Sequence, residues 1–452
     1  MGLGAELLTA GGIEGSAAAE ALASKLASSP DVEFAEVDHL RYATQAYPVD
    51  DAYVGSQTYL ADGPSNINAF DAWTVTHGSP DIVVAVIDTG YRPHIDLAGR
   101  ILPGYDMISD PAMANDGNGR DSDASDPGDW VTSADLPSLP ANCKVATSSW
   151  HGTSVAGIIA ADTDNNLYVA GIDWNAKILP VRVLGRCGGY DSDIVDGILW
   201  AAGLSVPGVP DNPHPAQVLN LSLGGEGPCE AMYSLAILAA YANGVTRSIV
   251  VAAGNSSEDV ANATPADCPG VIRVASTTTK GSLAPYSNYG PSIMLSAPGG
   301  SPYSTLFNYS VPVLSNSGTH GPVADSIGFE GGTSFSAPMV SGTISMMLAV
   351  NPELSPEQIV SILASTASPY ASLSNCTTAI CGAGIVNVGG AVRTASAVQT
   401  NYQGLWWASP AGSESGWGLN VAHQGNIIFA TWFTYDTSGK ALWLSMTGVQ
   451  GA

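Results

Sequence analysis

The chain has 452 residues, including 51 glycines, with 45% hydrophobic and only 12% charged residues. That balance supports a large core and more than one domain, and it excludes a disordered or coiled-coil chain. Lys and Arg number 14 against 40 Asp and Glu, a formal net charge of −26, which excludes nucleic acid and anionic membrane surfaces as partners and leaves a solvated acidic surface.

In chain order, residues 1–44 open with an Ala-rich helical stretch at 15–28, then an extended one at 32–38. Short β-branched runs at 82–87 (IVVAVI), 178–183, 218–223, 248–253 and 271–275 read as buried parallel strands. Helical stretches fall between them at 151–161, 191–202 and 231–243, and a further helix opens near Ser334. The alternation predicts an α/β fold, an open and mostly parallel sheet with helices on both faces. Beyond residue 400, aromatic and polar residues alternate at 405–407, 417–421 and 427–435, which predicts an antiparallel β module. The expected domains are 1–44, 45–400 and 401–452. No apolar run reaches the roughly 18 residues of a membrane span, and the first residues lack the basic-then-apolar order of a signal peptide. Six cysteines, none in C-x-x-C spacing, read as a disulfide framework made in an oxidising compartment, with about fifteen connectivities open.

Ligand sites in parallel sheets gather beyond the carboxyl ends of strands, where Asp88 and Asn255 both stand. Three blocks carry nucleophilic chemistry: Asp88-Thr89-Gly90 after a strand, His151-Gly152-Thr153 opening a helix, and Gly332-Thr333-Ser334, with Pro338 soon after, opening another. A serine hydroxyl needs a neutral imidazole to take its proton, and the imidazole needs a carboxylate to hold one tautomer. A helix start behind Ser334 adds positive potential where an oxyanion would form. Ala252-Ala253-Gly254-Asn255 brings a side-chain amide suited to the same oxyanion.

These four blocks, in this order, resemble the subtilisin (subtilase) family over residues 45 to 395. The resemblance implies a secreted, monomeric serine endopeptidase acting on proteins and peptides. Asp88 would orient, His151 would act as base and then acid, Ser334 would attack, and Asn255 would donate to the oxyanion. Ser222, Leu223, Gly224 and Gly225 would form one wall of the primary pocket and Ala252, Ala253 and Gly254 the other. Those small walls suit Phe, Tyr, Leu or Met before the cleaved bond. Two positions depart from the family pattern: Ser154 and Met339 stand where His is usual, and altered packing behind the site is expected. Residues 32–44 resemble the end of an inhibitory propeptide, with Asp38-His39-Leu40 the best match and self-cleavage near Thr44–Gln45. On that reading the chain holds only the second half of a propeptide, its own intramolecular inhibitor. The resemblance also guides the cysteine pairing Cys143–Cys187, Cys229–Cys268 and Cys376–Cys381.

The segment 106–129 holds seven aspartates and one arginine. Carboxylates at that density repel unless a hard cation gathers them. Asp116, Asn118, Asp121 and Asp123 are the expected Ca2+ ligands, and Asp96 marks a second candidate site. Two other functions compete: a catalytically silent binding protein, and a sedolisin-like acid peptidase with Glu as base and Asp as oxyanion donor. The set Asp88, His151, Asn255 and Ser334 speaks against both.

Overall fold

The computed structural model describes residues 16–29, 31–32, 35, 48–60, 63–301, 310–372, 374–398, 404–406, 418–424 and 427–449. It divides into two units, Met1–Pro48 and Val49–Ala452. In the first, helix α1 (Ser16–Ala27) forms from a run free of Gly, Pro and β-branched residues. Most of the predicted extended stretch, and the expected cleavage point at Thr44–Gln45, lie outside the described residues.

The second unit begins with the short helix α2 (Ala69–Trp73), strands β1 (Val83–Asp88) and β2 (Tyr105–Asp106), and helices α3 (Pro111–Ala114) and α4 (His151–Ala160). Strand β3 (Lys177–Arg182), helix α5 (Asp191–Ala201), strands β4 (Val218–Leu221) and β5 (Gly225–Glu226), and helix α6 (Ala231–Ala242) follow. Then come β6 (Ser248–Ala252), β7 (Ala263–Thr264), β8 (Ile272–Thr277), β9 (Leu295–Pro298), β10 (Val311–Asn316) and β11 (Asp325–Glu330). Helices α7 (Thr333–Val350), α8 (Pro356–Thr366) and α9 (Val388–Ala397) complete the α/β body.

Seven strands form one parallel sheet in the order β2-β3-β1-β4-β6-β8-β9. From β1 the chain fills one side with β2 and β3, then crosses to β4 on the other. The carboxyl end of β1 is therefore a topological switch point, where such sheets leave a crevice. Successive side chains alternate between two cores. Val84 and Val86 pack in the core that holds α4 and α7. Ala85 and Ile87 pack in the opposite one, with α5 and α6. This is the helix-on-both-faces architecture expected from the sequence.

The sequence reading did not include the edge strands β2 and β9, the β10–β11 pair or helices α8 and α9, and two further elements differ from it. The strand expected over 218–223 stops at Leu221, because Ser222 and the residues after it leave the sheet to line a pocket. Helix α7 runs 18 residues with mean hydropathy 1.2, long and apolar enough to cross a membrane, contrary to the expectation that no run reaches that length. It is 83% buried, the central core helix of the α/β body.

Strands β12 (Gly404–Trp406), β13 (Gly418–Gln424), β14 (Ile427–Tyr435) and β15 (Ala441–Val449) form the expected antiparallel sheet. Its aromatic residues do not make a closed core: Trp432 is 38% and Trp443 68% exposed. The side chains of Trp406, Trp407 and Trp417 lie outside the described residues. All six cysteines pair as Cys143–Cys187, Cys229–Cys268 and Cys376–Cys381, the connectivity that the family resemblance implied.

Candidate active site

Asp88 ends β1 with no solvent exposure. Its Oδ1 accepts from the Thr89 amide at 2.7 Å, and its two oxygens stand 2.8 and 3.0 Å from His151 Nδ1. A carboxylate there keeps the proton on Nδ1 and leaves Nε2 as the acceptor. His151 is the first residue of α4, and Trp150 before it has the left-handed φ of 54°. The indole of Trp150 is buried and donates to the Gly318 carbonyl at 2.8 Å, which offsets that strained entry. The Thr89 hydroxyl accepts from the Gly152 amide at 3.0 Å and donates to buried Asp126 at 2.8 Å. A Cβ on Gly152 would lie 2.1 Å from the Gly90 carbonyl oxygen, so only glycine lets the helix start seat here.

Burial of the His151 ring pulls its pKa down. The charge and hydrogen bond of Asp88, with the charges of Asp129 and Glu330, outweigh that and raise it above the ordinary value. Asp129 is itself held by the amide and hydroxyl of Ser149, at 2.6 and 2.7 Å.

Ser334 sits in the first turn of α7, and the ring of the next residue, Phe335, lies 5.6 Å from that of His151. The Ser334 amide, second in the helix, has no intrahelical acceptor. Its hydroxyl donates to the Ser222 carbonyl at 3.3 Å. Pro338 is the sixth residue of α7 and not in the first turn, as the sequence reading placed it. Proline lacks an N–H, so the Ser334 carbonyl loses its intrahelical donor. The Ser222 hydroxyl replaces it at 2.8 Å and is itself held by Asn220 Nδ2 at 3.0 Å.

Asn255 Oδ1 accepts from the Thr333 amide at 2.9 Å and from the Thr333 hydroxyl at 3.0 Å. A backbone N–H only donates, so the oxygen must face α7, and the Nδ2 donors are left for another group. The seven expected wall residues, Ser222, Leu223, Gly224, Gly225, Ala252, Ala253 and Gly254, all line one pocket of about 390 Å³ together with Asn255 and Ser334. The sequence did not mark eight further lining residues as pocket walls, among them Glu226, Ser256, Glu258, Ala266 and Thr333. The β5–β7 pairing adds Ala263 and Thr264 to the lining, and Asn288 lines it from the segment after β8. The two departures from the family pattern stay behind the site: Ser154 donates to the Leu314 carbonyl at 2.7 Å, and Met339 is buried in the core.

Asp116, Asn118, Asp121 and Asp123 line a second open pocket, of about 630 Å³. Their oxygens are hard donors of the kind Ca2+ takes. Internal hydrogen bonds already engage them: Asn118 Nδ2 donates to Asp121, the Asp123 amide to Asp121 and the Ser125 amide to Asp123. No three acidic groups of this loop come within 4.8 Å of one another; among the described residues the one group that close is Cys229, Asp267 and Cys268, whose cysteines are in a disulfide. The segment carries one arginine of its own, Arg120. The fold adds buried Arg182, which ion-pairs with Asp106 and, at 2.8 Å, with Asp116. Asp96 is buried and accepts from Asn165 Nδ2 at 2.9 Å and the Val169 amide at 3.1 Å.

Fold and site define an α/β protein with a carboxylate–imidazole pair, Asp88 and His151, at one helix start and, at another, a serine whose neighbour Phe335 lies beside the imidazole. The sequence profile of the subtilase family matches residues 79–400, and the chain belongs to that family. It is 44% identical over 396 residues to an extracellular protease of Xanthomonas campestris pv. campestris, covering 87% of this chain and 65% of that one. It is 41% identical over 374 residues to an extracellular basic protease of Dichelobacter nodosus, covering 82% and 60%. The chain thus spans less than two thirds of the length of these curated relatives. A solved protease from Pseudoalteromonas arctica PAMC 21717 superposes with a TM-score of 0.72 at 46% identity, covering 77% of this chain and 99% of that one.

Two outcomes are expected. The His151 ring should titrate above the usual 6.5, and Asp129→Asn or Glu330→Gln should each move its midpoint down; NMR of the ring protons reads both. Ser222→Ala leaves the Ser334 carbonyl without its donor and should cost about 1–3 kcal/mol in urea unfolding, a loss that a Ser334→Ala background should not diminish, because the acceptor is backbone.

Proposed function

We propose that this chain is a secreted serine endopeptidase that cleaves proteins and peptides through the triad Asp88, His151 and Ser334. The observation that carries the reading is the pairing of both Asp88 oxygens with His151 Nδ1, which leaves Nε2 as the only ring acceptor. In the proposed cycle the Ser334 hydroxyl turns from the Ser222 carbonyl, gives its proton to His151 Nε2 and attacks the substrate carbonyl carbon. Asn255 Nδ2 and the Ser334 amide donate to the resulting oxyanion. As the intermediate collapses, the imidazolium returns the proton to the leaving amine, and an acyl ester remains on Ser334. Water, deprotonated by His151, then releases the acid and restores the hydroxyl.

The alanines and glycines of the 390 Å³ pocket leave room for a large apolar side chain, which supports Phe, Tyr, Leu or Met before the cleaved bond. Residues 1–44 would belong to an inhibitory propeptide, 45–400 would be the peptidase domain and 401–452 a β-rich module, in a monomer. The extracellular relatives support secretion. Asp116, Asn118, Asp121 and Asp123 would hold a structural Ca2+, which neutralises their charge and ties the loop down.

Ser334→Ala should abolish hydrolysis of a chromogenic peptide and any self-cleavage near Gln45 while leaving the melting temperature level or higher. Cleavage by the purified variant, seen by mass spectrometry, removes Ser334 from its role. For calcium, the ion would stabilise the native state by RT ln(1 + [L]/Kd), about 2.7 kcal/mol at a hundredfold excess over Kd. Asp121→Asn with Asp123→Asn should therefore lower the melting temperature in millimolar calcium and make chelators harmless. An unchanged or higher melting temperature there removes the ion from this loop, since the change then only relieves repulsion.

A further inference from the structure

The proposed oxyanion donor stands on a loop. Strand β6 ends at Ala252, and Asn255 follows in a turn with left-handed φ at Gly254 (103°) and Ser257 (57°). Transition-state hydrogen bonds are sensitive to position, and a displacement of about 1 Å costs up to roughly 10²-fold in rate. Something must therefore hold this turn. The Thr333 contacts orient the Asn255 amide, but they do not fix the backbone that carries it.

Asn288 fills the inside of the turn and is 1% exposed. Its Nδ2 donates to the Ala253 carbonyl at 2.9 Å, and its Oδ1 accepts from the Ser256 amide at 2.9 Å and the Glu258 amide at 3.2 Å. Its own amide donates to the Gly254 carbonyl at 2.9 Å. One residue thus bonds the chain on both sides of Asn255. Only an amide side chain of this length offers a donor and a two-lone-pair acceptor at once; serine is too short and a carboxylate has no donor. The fit is close, since a Cβ on Gly254 would lie 2.4 Å from Asn288 Nδ2. Backbone hydrogen bonds from Ser257 to Tyr286 (2.9 Å) and from Tyr289 to Glu258 (3.0 Å) join the same two segments without using the Asn288 side chain. The fold of the region therefore does not hang on that side chain alone.

We propose that Asn288 is a positioning residue for the proposed reaction: it sets the turn that carries Asn255, and through Asn255 the stabilisation of the oxyanion. The inference rests on the reading of Asn255 as oxyanion donor, and the experiment separates the two. Wild type, Asn255→Ala, Asn288→Ala, Asn288→Asp and the double variant Asn255→Ala with Asn288→Ala are compared on a chromogenic peptide. A serine-directed phosphonate counts the competent sites, so that misfolded molecules do not enter kcat. Asn255→Ala should lower kcat by roughly 10²–10³-fold, a loss known for this kind of donor in a subtilisin and carried over from it. Asn288→Ala should lower kcat per titrated site by roughly 10–100-fold, with KM within about threefold. Asn288→Asp, which keeps the acceptor but sets a carboxylate oxygen against the Ala253 carbonyl, should lower kcat per site at least as far, and it serves in its place if Asn288→Ala yields no folded protein. In the Asn255→Ala background, Asn288→Ala should change kcat by less than about threefold, because no donor is left to position. Full kcat per site in the Asn288 variants, or an undiminished Asn288 effect in that background, overturns the inference and leaves the proteolytic reading standing. Wild type without hydrolysis, or Asn255→Ala with unchanged kcat, sinks the underlying reading and the inference with it.

Discussion

A carboxylate with no access to water governs this molecule. Ionised Asp88 is tolerated inside only where hydrogen bonds replace its hydration, and the Thr89 amide and His151 imidazole supply them. That requirement fixes where α4 must begin. It explains the left-handed turn at Trp150 and the missing side chain at Gly152, and it aims the positive end of the α4 dipole at the loop after β1. Helix α4 packs in turn against α7, whose start presents Ser334 on one side and Thr333 on the other. Thr333 then holds Asn255. Residues 88, 151, 255 and 334, distant in sequence, are joined in one chain of constraints that starts from a single buried charge.

The acidic composition has an internal counterpart. Several of the few cations are spent inside or at the edge of the aspartate-rich region: Arg182 on Asp106 and Asp116, Arg120 on Asp193 and Asp196, Arg186 on Asp135. Arg182 lies at the end of β3, in register with Asp88 across the sheet. The guanidinium therefore balances the loop from beneath while the outer carboxylates face solvent and each other.

The five inner strands, β3, β1, β4, β6 and β8, were legible in the sequence because β-branched runs must be buried on both faces of a parallel sheet, whereas the edge strands β2 and β9 were not. The four residues of the proposed site stand out because each lies at or just beyond a strand end, or in the first turn of a helix, within a short block. The supports do not. Nothing local marks the Ser222 hydroxyl as the replacement for a hydrogen bond that Pro338 removes from the Ser334 carbonyl. Nothing local marks Arg182 as the partner of a loop some 60 residues earlier, since only the β2–β3 pairing brings them together. Asn288 reads as a turn residue until the segment after β6 is laid beside it. The aromatic alternation beyond residue 400 marked β12, β13 and β14 but not β15, nor the exposure of Trp432, because alternation reports pleating and says nothing of what covers a face.

Helix α7 carries Ser334 in its first turn, and over its whole length, about 27 Å at the usual rise, it packs against β4, β6, β8 and β9 as well as α4 and α9. A group so placed has no private opening motion: backbone amides along α7 should exchange with solvent only when the whole body opens. Ageing of such a molecule is then all-or-none. Nicks in its outer loops should leave the Ser334 hydroxyl in place, and the event that finally displaces it should be the loss of the core.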